Sequence, residues 1–129
     1  MKTMLNQILR KLMRSSSVVG KVYTGTKLVD TVPSKTSTKV ASVMVPAGSY
    51  IVFGNVAYNV SESVLTICSI NKSNKQMAVV RGTMDAGGGD CVSCVVATTE
   101  NAEITLNAYH AASHATPIAI ANLNVVRIK

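Results

Sequence analysis

A chain of 129 residues is long enough for one sizeable hydrophobic core and too short for two domains. Val, Ala, Thr and Ser are abundant beside four Tyr, one Phe and no Trp, a mixture that favours strands packed through small β-branched side chains over a helix bundle. The net charge is +7, yet eight of the thirteen basic residues lie in the first 39 positions, and the body has no basic run interleaved with aromatics, which argues against a nucleic-acid groove there.

The first element in chain order is a short arm. Thr3 is placed to cap a helix, and Met4, Leu5, Ile8, Leu9, Leu12 and Met13 follow at offsets of three and four, one broad apolar stripe over residues 3–14. Lys2, Asn6, Gln7, Arg10, Lys11 and Arg14 surround it with polar groups. A helix of about three turns is marginal alone in water, so the stripe must lie against something. Three covers are open: copies of itself, with Leu5, Ile8 and Leu12 in the seam of a short coiled coil; a larger neighbour; or its own domain. Self-association ranks first because it agrees with what the strands require. The polar residues interrupt any continuous apolar core, so the arm does not read as a secretory signal, and no run approaches the length needed to span a bilayer. Its positive charge suits an acidic partner surface or nucleic acid, or serves solubility alone. Ser15, Ser16 and Ser17 break the pattern and Gly20 lets the chain redirect, giving an arm and hinge over 1–19 and a β domain over 20–129.

Beyond the hinge the pattern is nearly all β. Strands are predicted over 21–23, 27–32, 38–45, 49–59, 64–69, 77–84, 91–98, 102–110 and 123–128. Turn signals separate them at Pro33-Ser34, Pro46-Ala47-Gly48, residues 71–74, residues 86–89 and Glu100-Asn101. The strand over 49–59 is the most informative. Tyr50, Val52, Val56 and Tyr58 point one way and Ile51, Phe53 and Ala57 the other. One face lines a core, and the other needs a second cover, for which a copy of the same chain is the expected source. The strand over 123–128 has the same character, with Leu123, Val125 and Arg127 on one side and Asn124, Val126 and Ile128 on the other. That places it in the centre of a sheet or against a subunit interface. Residues 111–121, which include Pro117, read as a loop holding a brief strand around 118–121. The fold class predicted is all-β, an antiparallel jelly-roll sandwich preceded by a short N-terminal amphipathic helix.

Few residues advertise chemistry. Cys68, Cys91 and Cys94 are an odd set that suits reduced thiols. Cys91 and Cys94 have the spacing of a zinc knuckle or redox pair, but three positions apart in a strand they face opposite ways at about 10 Å. A shared metal or strain-free disulfide is then excluded unless a bulge or turn intervenes. Asp85 and Asp90 flank Gly87, Gly88 and Gly89; two carboxylates are too few for calcium, and the segment reads as a tight hairpin with glycines at positive φ. His110 and His114 lack a nucleophile elbow and an orienting acid, and His110 reads as a surface or interface residue. No catalytic residue, metal site or cofactor is assigned, and the chain is expected not to be an enzyme.

The run Ala41-Ser42-Val43-Met44-Val45-Pro46-Ala47-Gly48-Ser49-Tyr50-Ile51-Val52-Phe53-Gly54-Asn55-Val56 resembles the early strand pair of the small jelly-roll domains of bacteriophage structural proteins. These are head fibres, tail fibres and baseplate receptor-binding proteins, related in form to the trimeric tumour-necrosis-factor and complement C1q heads. The late strand over 103–109 and the closing strand over 123–128 complete the likeness, which covers about residues 38–129. The arm is similar to the trimeric anchor of that group, though brief for a fibre shaft. The resemblance implies a non-enzymatic virion protein: a homotrimeric fibre head, spike or decoration that meets other virion proteins through its basic arm. Its alternative is a receptor- or carbohydrate-binding module of a tail or baseplate that meets a host surface. Leu5, Ile8 and Leu12 are the candidates for fixing the arm, and Val52, Phe53, Val56, Leu106, Val125 and Ile128 for core and trimer contacts. In the alternative, residues 71–76, 85–90 and 110–117 form the recognition surface, in a chain without Trp for sugar stacking.

Overall fold

The computed structural model describes residues 19–129 apart from Gly87, together with Asn6. Leu5, Ile8 and Leu12, with nearly all of the helix expected over 3–14, lie outside the described residues. The described strands are β1 (Val22–Thr24), β2 (Thr26–Lys27), β3 (Thr31–Val32), β4 (Thr38–Val45), β5 (Gly48–Tyr58), β6 (Glu62–Lys72), β7 (Lys75–Met84), β8 (Asp90–Thr98), β9 (Ala102–His110) and β10 (Thr116–Arg127).

They form two antiparallel sheets. One runs β1-β10-β5-β8, with β3 also pairing β10, and the other runs β2-β4-β9-β6-β7. Consecutive long strands cross from one sheet to the other at every connection but one, the β6–β7 hairpin. With the two-residue strands set aside, this is the jelly-roll order, two Greek keys folded into a sandwich. The hairpin turns on Ser73 and Asn74, both at positive φ (48° and 68°), as a two-residue type I′ connection requires. Residues 85–90, read above as a hairpin, instead carry the chain between sheets, because β7 and β8 belong to different ones.

The core follows from the period of two along each strand. β5 sends Tyr50, Val52, Val56 and Tyr58 inward, where they meet Ile104, Leu106 and Ala108 of β9, Cys68 and Ile70 of β6, and Leu123 and Val125 of β10. All of these are essentially fully buried, and burying each large one contributes about 1.5–3 kcal/mol. Gly54 sits in the middle of the inward row for a steric reason: a Cβ there would lie 2.5 Å from Leu106 Cδ1. Gly89 has φ +73°, and a Cβ would collide with the Val56 carbonyl oxygen, so this crossing needs glycine. The Tyr50 hydroxyl donates to the Pro46 carbonyl at 2.6 Å, tying the turn that launches β5 to the strand itself.

The structure departs from the expected pattern at two further places. β10 is one strand of 12 residues from Thr116, with a register shift between Ile118 and Ile120; the brief strand expected around 118–121 is present but starts earlier and runs on into the closing strand, because β10 pairs along almost the whole of β5. Pro117 is tolerated where the first residues of β10 meet the two-residue β3. His110 is not a surface residue but fully buried. It is the last inward position of β9, its Nδ1 accepts from the Ala112 N–H at 3.2 Å, and its Nε2 lies 2.9 Å from the Val32 carbonyl. That pairing places the proton on Nε2, and the ring meets Tyr58 edge-on at 5.6 Å.

Candidate functional site

The outward face of the β1-β10-β5-β8 sheet is built in rows. Val22, Val126, Ile51 and Val95 are cross-strand partners and make one apolar row across the sheet; Val22 is 55% and Val95 65% exposed. The next row is Thr24, Asn124, Phe53 and Ser93, and the third is Asn122, Asn55 and Cys91. Along the sheet, therefore, the surface changes from aliphatic to amide and hydroxyl around a single aromatic ring.

The second and third rows enclose a hollow of about 360 Å³ lined by Phe53, Gly54, Asn55, Cys91, Val92, Ser93, Asn122 and Asn124, a volume within the range of small-ligand sites. It exists because Phe53, 49% exposed, stands in the central strand among shorter side chains. Asn55 Nδ2 donates to Cys91 Sγ at 3.0 Å, while the shielded Asn55 Oδ1 has no hydrogen-bond partner among the described residues. The Thr24 hydroxyl donates to Asn124 Oδ1 at 3.4 Å. No charged side chain lines the hollow. Its chemistry is hydrogen bonding beside an apolar platform, with no acid-base pair to move a proton.

The predicted contact residues divide sharply. Val52, Val56, Leu106 and Val125 have essentially no exposed surface within one chain, so they are core residues with nothing left to offer a neighbour. Phe53 and Ile128, at 49% and 40% exposure, are the two that reach outward. The three loops assigned to recognition do not converge. Residues 85–90 and 110–117 share one end of the sandwich with residues 59–62, shown by Ala86 N–H donating to Ser61 Oγ, Asn59 N–H to the Pro117 carbonyl, and His114 Nε2 lying 3.4 Å from Glu62 Oε1. The β6–β7 turn lies at the other end, where Ser73 N–H donates to the Glu103 carbonyl. Sequence reasoning missed the hollow, since Asn55, Ser93 and Asn122 meet only through strand pairing; Phe53 on an outward position was the one available signal.

The thiols occupy three environments. Cys91 is exposed on the outward face, Cys94 is partly buried on the inward side of the same strand, and Cys68 is buried in β6. Burial, reinforced by the nearby Asp90 carboxylate, pushes the Cys68 thiol up to about 12, and burial raises that of Cys94. Neither is a thiolate nucleophile at neutral pH. Burial likewise raises the Tyr58 hydroxyl well above its ordinary value. Among the described residues no helix is long and apolar enough to cross a membrane.

No protein-family model matches the chain, and no curated protein sequence does. Solved structures do match. A structure of infectious bursal disease virus, Gt strain, aligns over 84% of this chain and 33% of its own, at 14% identity and a TM-score of 0.53. A β-glucosidase from Paenibacillus barengoltzii aligns over 82% of this chain and 10% of its own, at 15% identity and a TM-score of 0.48. The C-terminal domain of EclA, described as a sugar-binding protein, aligns over 81% and 77% respectively, at 12% identity and a TM-score of 0.48. The chain thus spans a small part of the glucosidase and a third of the viral chain, and what the viral alignment establishes is a shared β-sandwich fold.

Proposed function

We propose that this chain is a non-enzymatic recognition head, a receptor- or carbohydrate-binding module of a virion. The observation that carries the reading is the uncharged, amide-lined hollow around Phe53 on the outward sheet face. A jelly roll whose core is filled by its own side chains offers its faces and loops for function. Here one face presents a concave patch of hydrogen-bonding groups at which a ligand can be held but not transformed. The virion setting is supported by the likeness of residues 41–56 to phage head domains. The test is attachment of the full chain to bacterial host cells. Ser93→Arg, at an exposed position on the rim, fills the hollow and abolishes attachment while leaving the core untouched; attachment unchanged by Ser93→Arg overturns the reading.

A second reading, a homotrimeric fibre head, spike or decoration protein, is favoured by a different observation, the aliphatic row Val22, Val126, Ile51 and Val95. Such a row loses its contact with water when copies pack together. In that reading the basic arm meets other virion proteins. Light scattering on the full chain returns three times the monomer mass, and Val95→Lys returns the monomer. A monomer for the unmodified chain over a wide concentration range removes the second reading and leaves the first standing.

A further inference from the structure

We infer that the hollow on the outward sheet face takes a neutral saccharide, held by the amides of Asn122 and Asn124 with one face of the sugar ring against Phe53. This rests on the recognition reading above and adds the chemical class of the ligand. The lining residues form a grid of two rows on three adjacent strands: Asn124, Phe53 and Ser93, then Asn122, Asn55 and Cys91. Neighbouring strands and alternate residues set its size at about 10 Å by about 7 Å, the footprint of one or two sugar rings.

Three features select this class. An amide presents a donor and an acceptor side by side, the pattern that adjacent hydroxyls match, since each hydroxyl both donates and accepts. In the grid these groups are partly pre-set. Thr24 engages Asn124 Oδ1, so the Nδ2 of that amide is the group turned to a ligand oxygen. Asn55 is held back from the ligand, its Nδ2 donating to Cys91 Sγ and its Oδ1 shielded, so the more accessible amides of Asn122 and Asn124 are the ones a ligand hydroxyl meets.

The second feature is the ring. Phe53 is half exposed at the centre of the sheet, with flat apolar surface available to the C–H face of a pyranose. It has no hydroxyl or indole N–H of its own, so stacking and hydrogen bonding are divided between different residues. The third is the absence of charge. No Lys, Arg, Asp or Glu lines the hollow although the whole chain carries +7. A sialylated or sulfated ligand there gives up water without gaining an ionic partner, which disfavours it.

The full chain is tested on an array of immobilised neutral hexose and N-acetylhexosamine glycans, sialylated glycans and sulfated glycans. The expected result is binding to at least one neutral glycan, with no dependence on sialic acid or sulfate. Phe53→Ala and Asn124→Ala each weaken it at least tenfold, and Phe53→Tyr, which keeps the ring, retains it. Both positions lie outside the core, and an unchanged urea midpoint confirms folding. Should either variant unfold, Ser93→Arg provides the same test by filling the hollow from an exposed lining position of β8, and binding that persists in Ser93→Arg overturns the inference. Binding only to acidic glycans also overturns it. So does an array without signal; if cell attachment is then still blocked by Ser93→Arg, recognition stands and the saccharide class fails, and if attachment is also insensitive to Ser93→Arg, both fail together.

Discussion

His110→Phe separates a buried, hydrogen-bonded histidine from a merely buried ring. Phenylalanine keeps a flat ring of similar size against Tyr58, whose ring centre is 5.6 Å away, so the change removes two hydrogen bonds and little packing. The Ala112 N–H loses its acceptor and the Val32 carbonyl loses a donor. A buried N–H left unpaired costs about 1–3 kcal/mol and a lost ordinary bond about 0.5–1.5 kcal/mol, giving about 2–4 kcal/mol together. Against a domain stability of about 5–15 kcal/mol, that is a large fraction. Equilibrium urea unfolding followed by far-ultraviolet circular dichroism measures it, and a slope near 2 kcal/mol/M lowers the midpoint by about 1–2 M. A loss below about 1 kcal/mol with an unchanged slope refutes the reasoning, because Ala112 then finds another acceptor and the imidazole is not what closes this end of the sandwich.

Gly54→Ala places a methyl group 2.5 Å from Leu106 Cδ1 and destabilises by about 1–3 kcal/mol through overpacking; the double variant Gly54→Ala with Leu106→Ala recovers part of the clash penalty, read as a non-additive urea midpoint. In the native protein Cys91 reacts with a thiol reagent such as DTNB and Cys68 does not, so mass spectrometry after brief labelling finds the adduct on the peptide carrying Cys91, and adduct on Cys68 at the same rate contradicts the described packing. Stability falls with alkaline pH. The unfolded Cys68 thiol ionises near 9 while the folded one holds its proton to about 12, so its contribution is complete below pH 9 and declines above it. The wild type therefore loses about 1.4 kcal/mol per pH unit more than Cys68→Ala between pH 9 and 11, measured by urea unfolding at each pH, and parallel losses in the two proteins contradict the assignment.

Most of the sandwich was legible because its strands obey a period of two with strong turn signals between them. β5 shows this best: Tyr50, Val52, Val56 and Tyr58 are inside and Ile51 and Phe53 point out, as the alternation of its apolar residues requires. The same arithmetic separated Cys91 from Cys94. Legibility failed where a neighbour overrides local preference. Pro117 and the alanines of 116–121 hid that the brief strand expected around 118–121 is continuous with the closing strand, a union that depends on β5 lying alongside. His110 was misjudged because residue type suggested exposure, while its place at the end of an inward-facing row settled its burial. The hollow was illegible for a deeper reason. Its side chains come from positions 53–55, 91–93 and 122–124, and nothing local to any of these segments announces the other two.

β1 has a single neighbour in its sheet, β10. The Gly20 N–H donates to the Arg127 carbonyl, the Arg127 N–H donates to the Lys21 carbonyl, and Thr24 meets Asn124 exactly one hundred positions on. As a ribosome delivers this chain, β1 therefore emerges early and waits, its backbone groups hydrated, until β10 has been made. Loop closure over such a separation is slow, and until it occurs β5 has β8 alone of its two sheet neighbours to pair with. The adjacency of β1 and the end of β10 also means that a short linker from residue 129 to residue 20 can join them, with new ends opened at the β6–β7 turn, and the rejoined chain should close without that wait.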